Sequence, residues 1–510
     1  MQEEIIRTID GRTIDDLVVI MKKHNPQADL DLIVRAFHFT KDAHAGQQRK
    51  SGEPYMTHPL ATAIMLAELG LDEQTIAAGL LHDVPEDTQR TLKDIKKIFG
   101  KDIAFLVESV TKLGMLKYRG VDRYIENLRR MFIAMAKDVR VILIKFADRI
   151  NNLQTLDALP PEKQHRIALE SMEIYAPIAN RLGMGNMKGQ LEDLSFPFVY
   201  PEEYKWMMKK IGPRLKEKEA FMQRFMTFIR NEFNIHDLKV VSVDGRTKHL
   251  YSLYKKLLKH NRDLSEIYDL VALRIIVNDV ATCYAALGVI HKICKPLKGR
   301  IKDYIAQPKP NGYQSLHTTV FAPTQFFHEE AVYGEIIEIQ IRTLDMHKEA
   351  EFGIAAHWQY KEGRFMPEKM GQKLHWMNEI VELQKQVQDE KQLLETLKID
   401  VFQNYIFVFT PKGDVIELPE DSTPVDFAYR VHTDLGNKCV GVKINDQIAS
   451  LQTRLKNGDV VEITTDSHRK GPSASWLEFV KTNAARSAIR QYLNKQSRGL
   501  LETFSRARKN

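Results

Sequence analysis

Cysteine is scarce in this 510-residue sequence, and long apolar runs are missing altogether. The three cysteines, Cys283, Cys294 and Cys439, show neither CxxC nor Cys/His zinc-site spacing, which argues against a disulfide framework and fits a reducing compartment. No run approaches the roughly 20 apolar residues of a membrane-spanning helix, and the first residues, MQEEIIRTIDGR, lack the apolar core of a signal peptide. We therefore expect a cytoplasmic protein with no membrane association.

A large excess of one charge is also missing, since 74 Lys and Arg minus 67 Asp and Glu gives +7. Basic residues are concentrated in 295–309 and 498–509. Such clusters are as often a solvated face as a site for polyphosphate or nucleic acid, and charge alone does not decide between them. The length predicts about three or four domains of roughly 100 to 200 residues.

The spacing of apolar residues divides the chain into regions. From 28 to about 230 they recur three and four apart, which predicts helices. From 238 to 357, short β-rich runs such as ALRIIV and EIIEIQIR alternate with helical stretches, which predicts a mixed α+β domain. The regions that follow are a connecting helical segment (366–398), a compact β-rich unit (400–465) and a helical stretch (475–496).

The helical region contains residues that can bind a metal. Two imidazoles and two carboxylates in apolar surroundings suit a divalent ion such as Mn²⁺. They are His58, His82, Asp83 and Asp148. A lone histidine on an apolar face is more often a core residue, and an Asp-Arg pair such as Asp148-Arg149 is usually a salt bridge. An adjacent His-Asp pair, with a second histidine upstream and an aspartate downstream, is instead typical of HD-type phosphohydrolases.

Acidic and basic residues flank this set. Glu86 and Asp87 follow the His-Asp pair within one turn and are candidates for activating water. Upstream, the run Arg49-Lys50-Ser51-Gly52 supplies cations and a turn suited to phosphate oxygens.

The mixed region has a second set of polar residues. We predict that Arg246, Lys248 and His249 lie on a turn entering a helix, a place that attracts anions. Ser252 and Lys256 follow on that helix. Arg274, on the next strand, is either structural or phosphate-facing.

Two acids in this region are candidate Mg²⁺ ligands. Asp269 stands where a strand begins. Glu338 alternates with isoleucines, so its side chain lies on the opposite face of its strand and is a candidate Mg²⁺ ligand or general base. From the alternation alone, a solvated sheet face is the favoured interpretation of Glu338.

A short basic segment lies between these acids. It supplies cations and donors at Lys302, Lys309 and His317. After the Asn311-Gly312 turn, Tyr313 offers a ring on which a base could stack, although a tyrosine there is commonly hairpin packing.

Long motifs in a fixed order match a known family. RKSGEPYMTHPL, LLHDVPEDT, KFADRINN, GRTKHLYS, GRIKDYIAQPKPNGYQSLHTTV, EIQIRT and MHKEAEFGIAAHW resemble the RelA/SpoT homologue family of alarmone synthetase-hydrolases. Residues 400–466 resemble its TGS domain. The resemblance implies a multidomain fold with an all-α HD-type hydrolase domain, an α+β nucleotidyltransferase-like synthetase domain and a small β-grasp-like TGS domain. The implied boundaries are 1–200 (hydrolase), 201–237 (helical connection), 238–365 (synthetase), 366–399 (helical linker), 400–466 (TGS) and 467–510 (start of a helical domain).

The resemblance also implies a bifunctional enzyme. It would transfer pyrophosphate from ATP to the 3′-hydroxyl of GDP or GTP and would hydrolyse the (p)ppGpp product in the stringent response. The basic Arg300-Ile301-Lys302-Asp303 version of one motif goes with bifunctional members.

Hydrolase roles follow from the same motifs. Mn²⁺ would be held by His58, His82, Asp83 and Asp148, and water would be activated by Glu86 and Asp87. The nucleotide pocket would be lined by Arg49, Lys50, Ser51, Asn152 and Thr155.

Synthetase roles follow in the same way. ATP would be bound by Arg246, Lys248, Ser252 and Lys256, and Mg²⁺ by Asp269 and Glu338. Glu338 would also deprotonate or orient the acceptor hydroxyl. GDP or GTP would be bound by Lys302, Lys309, Asn311, Tyr313 and His317, with Tyr313 stacking on guanine.

The sequence departs from the family pattern in three places. Asn151 stands where a histidine is usual, beside the expected ligands, so we expect a small effect. Pro85 removes a backbone donor and could bend the helix between the His-Asp pair and Glu86-Asp87. Long family members continue beyond the TGS domain, so the chain is expected to be either truncated or a naturally short form.

Two alternatives remain open. One is a hydrolase-dominant enzyme with a weak synthetase. The other is a non-enzymatic sensor that binds the ribosome and uncharged tRNA through the TGS domain and later modules, with His432 a possible tRNA contact.

Overall fold

The computed structural model of the protein describes residues 10–114, 131–259, 262, 271–309, 311–323, 335–360, 405–456, 458–469, 471–482, 484–493 and 495. The chain forms two compact units, Met1–Gln388 and Asp389–Asn510. None of the helices within the described part combines the length and the apolar character that crossing a bilayer requires.

The first unit begins with a helical domain. Its helices are α1 Ile14–His24, α2 Leu30–Ala43, α3 Thr57–Glu68, α4 Glu73–Leu81, α5 Val84–Asp87, α6 Leu92–Phe99, α7 Lys101–Gly114, α8 Arg140–Gln154, α9 Pro161–Glu170, α10 Ala176–Arg181 and α11 Gly185–Val199. Side-chain caps fix several helix starts. Asp72 accepts from the Thr75 backbone amide at 2.9 Å, and Thr91 forms a capping box with Asp94. These local signals explain why the helix pattern was predictable from sequence.

Helix α8 lies at the centre of this domain. Most of its residues are buried on every side, from Val141 to Leu153. A helix that is apolar all round belongs in a core, and α8 therefore carries the buried polar residues Lys145, Asp148 and Asn151 into that core.

A long helix, α12 (Pro201–Ile235), joins this domain to a mixed sheet. The sequence predicts a helical connection here. In the structure the apolar side of α12, including Phe225, Ile229 and Phe233, packs into the core of the sheet domain.

The sheet domain alternates strands and helices. Its elements are β1 Ser242–Thr247, α13 Leu250–Lys259, β2 Val271–Val277, α14 Val280–Ile293, β3 Lys295–Pro296, β4 Lys302–Asp303, β5 Leu316–Phe321, β6 Ile336–Thr343 and α15 Leu344–Phe352. The strand order is β1-β2-β6-β5-β3, and β4 also pairs with β5. Strands β2 and β6 are parallel, whereas the other pairs are antiparallel.

The two domains of the first unit touch at Gly353, which ends α15. The amide of Ile354 donates to the carbonyl of Leu182 at 3.0 Å. Gly353 has φ +54°, and a Cβ there would lie 2.4 Å from the Leu182 carbonyl oxygen. Only glycine accepts this conformation and this approach of two backbones.

Replacing Gly353 by alanine should therefore destabilise the first unit by at least about 2 kcal/mol, because the backbone strain adds to a clash with main-chain atoms. The matched control is Gly288→Ala, since a Cβ at Gly288 in α14 meets nothing within 4 Å. Thermal unfolding of both variants checks this, and equal melting temperatures for the two would contradict it.

The second unit, within its described residues, is a small α/β domain. Its elements are β7 Tyr405–Phe409, β8 Val415–Pro419, α16 Pro424–Val431, α17 Thr433–Lys438, β9 Cys439–Ile444, β10 Gln447–Ala449 and β11 Val461–Thr465. β7 pairs with β8, and the order β10-β9-β11 forms a three-stranded sheet. Residues 484–493 are helical, and Ala485 and Ile489 pack into the core beneath α16. The predicted linker 366–399 lies outside the described residues.

Candidate functional sites

The predicted metal ligands come from three adjacent helical segments. His58 lies in the first turn of α3, His82 and Asp83 follow the end of α4, and Asp148 is on α8. His58, His82 and Asp148 are at most 4% exposed. The described part of the chain thus brings four potential ligands from distant sequence positions into one buried cluster.

The distances fit a shared ion. The His58 Nε2 atom lies 3.3 Å from His82 Nε2, 3.3 Å from Asp148 Oδ1 and 3.4 Å from Asp83 Oδ2. Ligands at roughly 2.0–2.2 Å from one ion can be up to about 4.4 Å apart. His82 Nε2 lies 3.8 Å from Asp148 Oδ1, so the facing atoms of His58, His82 and Asp148 all lie within this limit. The donor set therefore suits a divalent cation.

The outer ring nitrogens establish which atoms face the centre. His58 Nδ1 donates to Asn151 Oδ1 at 2.6 Å, and His82 Nδ1 donates to the Gly79 carbonyl at 2.8 Å. Both Nε2 atoms are then left with lone pairs that point toward the same small space. A cation bound between the rings accepts both lone pairs, whereas without it a proton on one Nε2 atom occupies the same space.

Charge in the cluster also favours a cation. Burial lowers the pKa of His58, but the hydrogen bonds that its ring donates to Asp148 and Asp83 outweigh it and raise the pKa to about 9. Lys145 donates to Asp148 Oδ2 at 2.6 Å, and this charge holds the pKa of Asp148 well below its usual range despite burial. Asp148 is therefore a permanent carboxylate whose Oδ1 faces the imidazoles.

Asn151 has a larger part than its position beside the ligands suggests. Its Oδ1 accepts from His58 Nδ1 at 2.6 Å and from Arg49 Nη1 at 2.9 Å. It thereby fixes the tautomer and ring orientation of a candidate ligand, so we predict a larger effect of substitution at this position than the sequence alone suggests.

Asn151→Ala should weaken Mn²⁺ affinity by about 10- to 100-fold, the usual effect of removing the hydrogen-bond partner of a histidine ligand. Asn151→Asp keeps the accepting oxygen and should retain tight binding. Calorimetric titration with Mn²⁺ in the absence of nucleotide checks this, and equal affinities for the alanine variant and the parent chain would contradict it.

Glu86 and Asp87 lie in the short helix α5, at the edge of the cluster. The structure has no continuous helix here for Pro85 to bend, because α4 ends at Leu81. Pro85 lies in the first turn of α5, where the helix does not need its missing backbone N–H. Partial burial and the charge of Asp83 raise the pKa of Glu86. A carboxylate with a raised pKa is a stronger base than a free one, which suits the transfer of a proton from water.

Sequence reasoning missed Tyr55, which connects the cluster to these acids. Its hydroxyl lies 3.0 Å from Asp83 Oδ2 and 2.5 Å from Asp87 Oδ2. Burial and Asp83 raise its pKa, so the hydroxyl keeps its proton as a donor. No local signal distinguishes Tyr55 from a packing tyrosine.

Two of the predicted nucleotide-pocket residues, Arg49 and Asn152, border the cluster. Arg49 donates to Asn152 Oδ1 at 2.9 Å, and Asn152 donates to Asp148 Oδ1 at 2.5 Å. Lys50 and Ser51 lie in an exposed turn, and Thr155 follows the end of α8. The guanidinium group of Arg49 and the amide of Asn152 therefore lie next to the carboxylate of Asp148.

The second group of predicted residues lies on one face of the mixed sheet. Strand register aligns Arg246, Ala272, Glu338 and Thr319 in one row across β1, β2, β6 and β5. The next row contains Asp244, Arg274, Gln340, His317 and Lys302. Isoleucines of β6, such as Ile337 and Ile339, are buried on the opposite face, as their alternation predicts.

Glu338 is held in this face rather than solvated. His317 Nδ1 donates to Glu338 Oε1 at 2.9 Å, and Lys248 Nζ lies 3.9 Å from Oε2. Burial raises the pKa of Glu338, but the His317 hydrogen bond and the Lys248 charge outweigh it and lower the pKa to about 2. Glu338 is therefore a carboxylate at any working pH, better suited to bind a cation or orient a hydroxyl than to take a proton.

Tyr313 and Lys309 lie next to Glu338 and His317. The Tyr313 hydroxyl donates to His317 Nε2 at 2.9 Å, and Lys309 Nζ lies 5.1 Å from the Tyr313 ring centroid. Burial lowers the pKa of Lys309, as does the charge of Lys302. The amide of Tyr313 donates to Asn311 Oδ1 at 3.3 Å, so the turn presents the ring beside the basic residues.

The predicted ATP-binding residues lie at the β1–α13 connection. The prediction that Arg246 lies on a turn is wrong, because it lies on β1, where backbone pairing with β2 extends to Thr247. Lys248 follows the strand, and Ser252 and Lys256 are on α13. Asp269 lies outside the described residues.

The helical domain holds this connection in place. Asp193 on α11 accepts from the Tyr251 amide at 2.9 Å and from His249 Nδ1 at 2.8 Å. Glu192 accepts from Lys255 Nζ at 2.8 Å. A helix that packs against α8, which carries Asp148, thus also positions the start of α13.

In the second unit, His432 lies between α16 and α17. Its Nδ1 accepts from the Asp434 amide at 3.2 Å, and its side chain is 70% exposed. The ring therefore caps a helix and still leaves most of its surface available.

Comparison with known proteins confirms the predicted fold class. Family models match residues 36–185 ("HD domain"), 245–364 ("Region found in RelA / SpoT proteins") and 406–465 ("TGS domain"). These three matches follow the order predicted from the motifs.

Curated relatives match over most of the chain. A GTP pyrophosphokinase of Myxococcus xanthus is 47% identical over 482 residues, which are 94% of this chain and 62% of that protein. A guanosine-3′,5′-bis(diphosphate) 3′-pyrophosphohydrolase of Aquifex aeolicus is 46% identical over 476 residues, 93% of this chain and 66% of that protein. The bifunctional (p)ppGpp synthase/hydrolase RelA of Mycobacterium tuberculosis is 43% identical, with 96% and 66% covered. The chain spans 62% to 66% of the length of these three relatives.

Proposed function

The chain belongs to the RelA/SpoT homologue family, and on that basis we propose that it is a bifunctional alarmone enzyme. The hydrolase occupies the helical domain, with proposed bounds 1–200, and the synthetase occupies the sheet domain, with proposed bounds 238–365. The relatives named above include proteins called pyrophosphokinase, pyrophosphohydrolase and both, which supports two activities in one chain.

In the hydrolase, His58, His82, Asp83 and Asp148 would hold Mn²⁺. The ion would supply a Lewis acid that polarises water and the 3′-phosphate. Glu86 takes a proton from the attacking water and returns it to the 3′ oxygen as the bond from that oxygen to phosphorus breaks. The products are pyrophosphate and GDP or GTP. Asp87, held through Tyr55, orients the same water.

Basic residues of the hydrolase pocket neutralise the negative charge of the substrate phosphates. Arg49 faces the cluster through Asn151 and Asn152, and its planar guanidinium suits phosphate oxygens. Lys50, Ser51 and Thr155 complete the proposed pocket around the nucleotide.

In the synthetase, the 3′-hydroxyl of GDP or GTP attacks the β-phosphorus of ATP and loses its proton to water. The bond from that phosphorus to the α,β-bridging oxygen breaks, and AMP is released. Glu338 orients the acceptor hydroxyl and, with Asp269, would hold Mg²⁺, which neutralises the triphosphate. Lys248 and Arg246 approach the ATP phosphates with Ser252 and Lys256. The acceptor nucleotide stacks on Tyr313 and is bound by Lys302, Lys309, Asn311 and His317.

One observation carries the proposal. Two polar clusters stand on separate scaffolds, one with paired imidazoles facing carboxylates among buried helices and one with Glu338 among lysines on a sheet face. The first suits metal-assisted hydrolysis, and the second suits transfer between two polyphosphates. A pure sensor would need neither set of acids.

The proposal is tested by tracing a radioactive label from each substrate to its product. With γ-³²P-ATP, GDP and Mg²⁺, label should appear in a guanosine nucleotide; with 3′-labelled alarmone and Mn²⁺, it should appear in pyrophosphate. Absence of both products despite measurable nucleotide binding would favour the sensor alternative, and hydrolysis alone would favour the hydrolase-dominant one.

Partners and location are part of the same proposal. We propose a cytoplasmic protein that meets the ribosome and uncharged tRNA through the TGS domain. The exposed His432 ring is the residue proposed to contact tRNA.

A further inference from the structure

Three arginines of the sheet domain converge on one carboxylate. Glu351 Oε1 lies 3.0 Å from Arg274 Nη1, 3.0 Å from Arg342 Nη2 and 3.9 Å from Arg246 Nη1. The arginines come from β2, β6 and β1, whereas Glu351 comes from α15. Glu351 is therefore the common partner of cations on three different strands.

The cluster carries more positive than negative charge. Burial raises the pKa of Glu351, but Arg246, Arg342 and Arg274 outweigh it, so the acid is ionised. The neighbouring His347 accepts from Arg342 Nη2 at 2.7 Å, and burial and the arginines lower its pKa to about 4, so it is neutral near pH 7. Three guanidinium groups thus share one carboxylate.

The three arginines differ in how much of each side chain is exposed. The Arg342 side chain is 0% exposed and anchors Glu351 from within the core. The side chains of Arg274 and Arg246 are 19% and 29% exposed. Part of each of these two side chains therefore reaches the surface on the face that carries Glu338, although Arg274 Nε itself is buried without a hydrogen-bond partner among the described residues.

Strand register places the exposed part of Arg246 beside Glu338. Arg246 and Glu338 both pair with Ala272, from opposite sides of β2. The two partly exposed guanidinium groups therefore border the place where the proposed function puts ATP. Glu351 itself is 15% exposed and is held behind them by Arg342.

We propose that Glu351 is a positioning residue for the donor nucleotide, which holds the guanidinium groups of Arg246 and Arg274 in the orientation that ATP needs. This inference rests on the proposed function of the sheet face. A buried ion pair that served stability alone would need one cation, whereas Glu351 gathers three, two of which retain surface toward the site. Without the carboxylate the three cations repel one another and separate, because close like charges are unfavourable in a partly buried site.

Glu351→Gln tests the inference, since it keeps the shape and removes the charge. Affinity of the full chain for α,β-methylene-ATP should fall about tenfold in calorimetric titration, and affinity for GDP should change by less than about twofold. In steady state, KM for ATP should rise while kcat stays near that of the parent. Glu351→Asp keeps the charge and should recover part of the affinity. The control is Asp345→Asn, an exposed acid on the same helix.

Every outcome of these titrations either supports or overturns the inference about Glu351. Unchanged or tighter binding of the ATP analogue by Glu351→Gln would overturn the inference, and so would an equal loss for ATP analogue and GDP, which marks a general structural role. If the glutamine variant does not fold, Arg274→Gln gives the answer, because it removes one of the guanidinium groups that Glu351 holds. Parent-like ATP-analogue affinity and KM in that variant would overturn the inference. Failure of the parent chain to bind the analogue would instead overturn the proposed function, and the inference with it.

Discussion

Asp148→Asn is expected to reduce alarmone hydrolysis by about a thousandfold or more, because it removes several kcal/mol of charge stabilisation at the metal cluster. The Oδ1 atom lies 3.3 Å from His58 Nε2 and 3.8 Å from His82 Nε2, so a neutral amide there lowers the affinity for a divalent ion directly. The measurement is the rate of pyrophosphate release at saturating Mn²⁺, together with Mn²⁺ affinity.

The same substitution leaves a buried lysine without its counter-charge. Lys145 donates to Asp148 Oδ2 at 2.6 Å, and breaking such a pair typically costs about 3–5 kcal/mol. Circular dichroism and the synthetase rate therefore serve as controls for folding. Asp157→Asn changes a nearby exposed acid and should hydrolyse at the parent rate. Parent-like Mn²⁺ affinity in Asp148→Asn would show that Asp148 is not a ligand.

Glu338→Gln is expected to abolish pyrophosphate transfer to a similar extent, by about a thousandfold, since the carboxylate that would hold the cation and orient the hydroxyl is lost. Glutamine can still accept from His317, so the fold and GDP affinity should be preserved. The measurement is the initial rate of label transfer from ATP to GDP.

The pKa of Glu338 adds a pH prediction. A carboxyl whose pKa is lowered to about 2 stays ionised at any pH above about 3, so any acid limb of the synthetase rate at higher pH must come from other groups.

The control for Glu338→Gln is Glu202→Gln, which changes an 81% exposed side chain and should keep the parent rate. A Glu338→Gln variant with normal transfer activity would contradict the assignment.

Local patterns were enough to predict much of the architecture. Helix caps such as Thr91 and the alternation around Glu338 depend on neighbours within a few residues, and those neighbours are visible in the sequence. Arg246 lies on β1 rather than on a turn because pairing with β2, a strand distant in sequence, keeps the backbone extended as far as Thr247.

The contacts that sequence reasoning missed join positions far apart in the chain. Tyr55 meets Asp87 across 32 positions, Arg49 meets Asn151 across 102, and Arg274 meets Glu351 across 77. No periodicity or spacing encodes such contacts, because the fold alone brings these positions together. A resemblance transfers the residues of a motif but not the partners that orient them.

The most direct test of the two-site account is a crossed assay of Asp148→Asn and Glu338→Gln, each measured for hydrolysis with Mn²⁺ and for synthesis with Mg²⁺ beside the parent chain. The account predicts that each variant loses one activity and keeps the other near the parent rate. Loss of both activities in either folded variant, or loss of neither, would contradict the claim that one chain carries two separate sites.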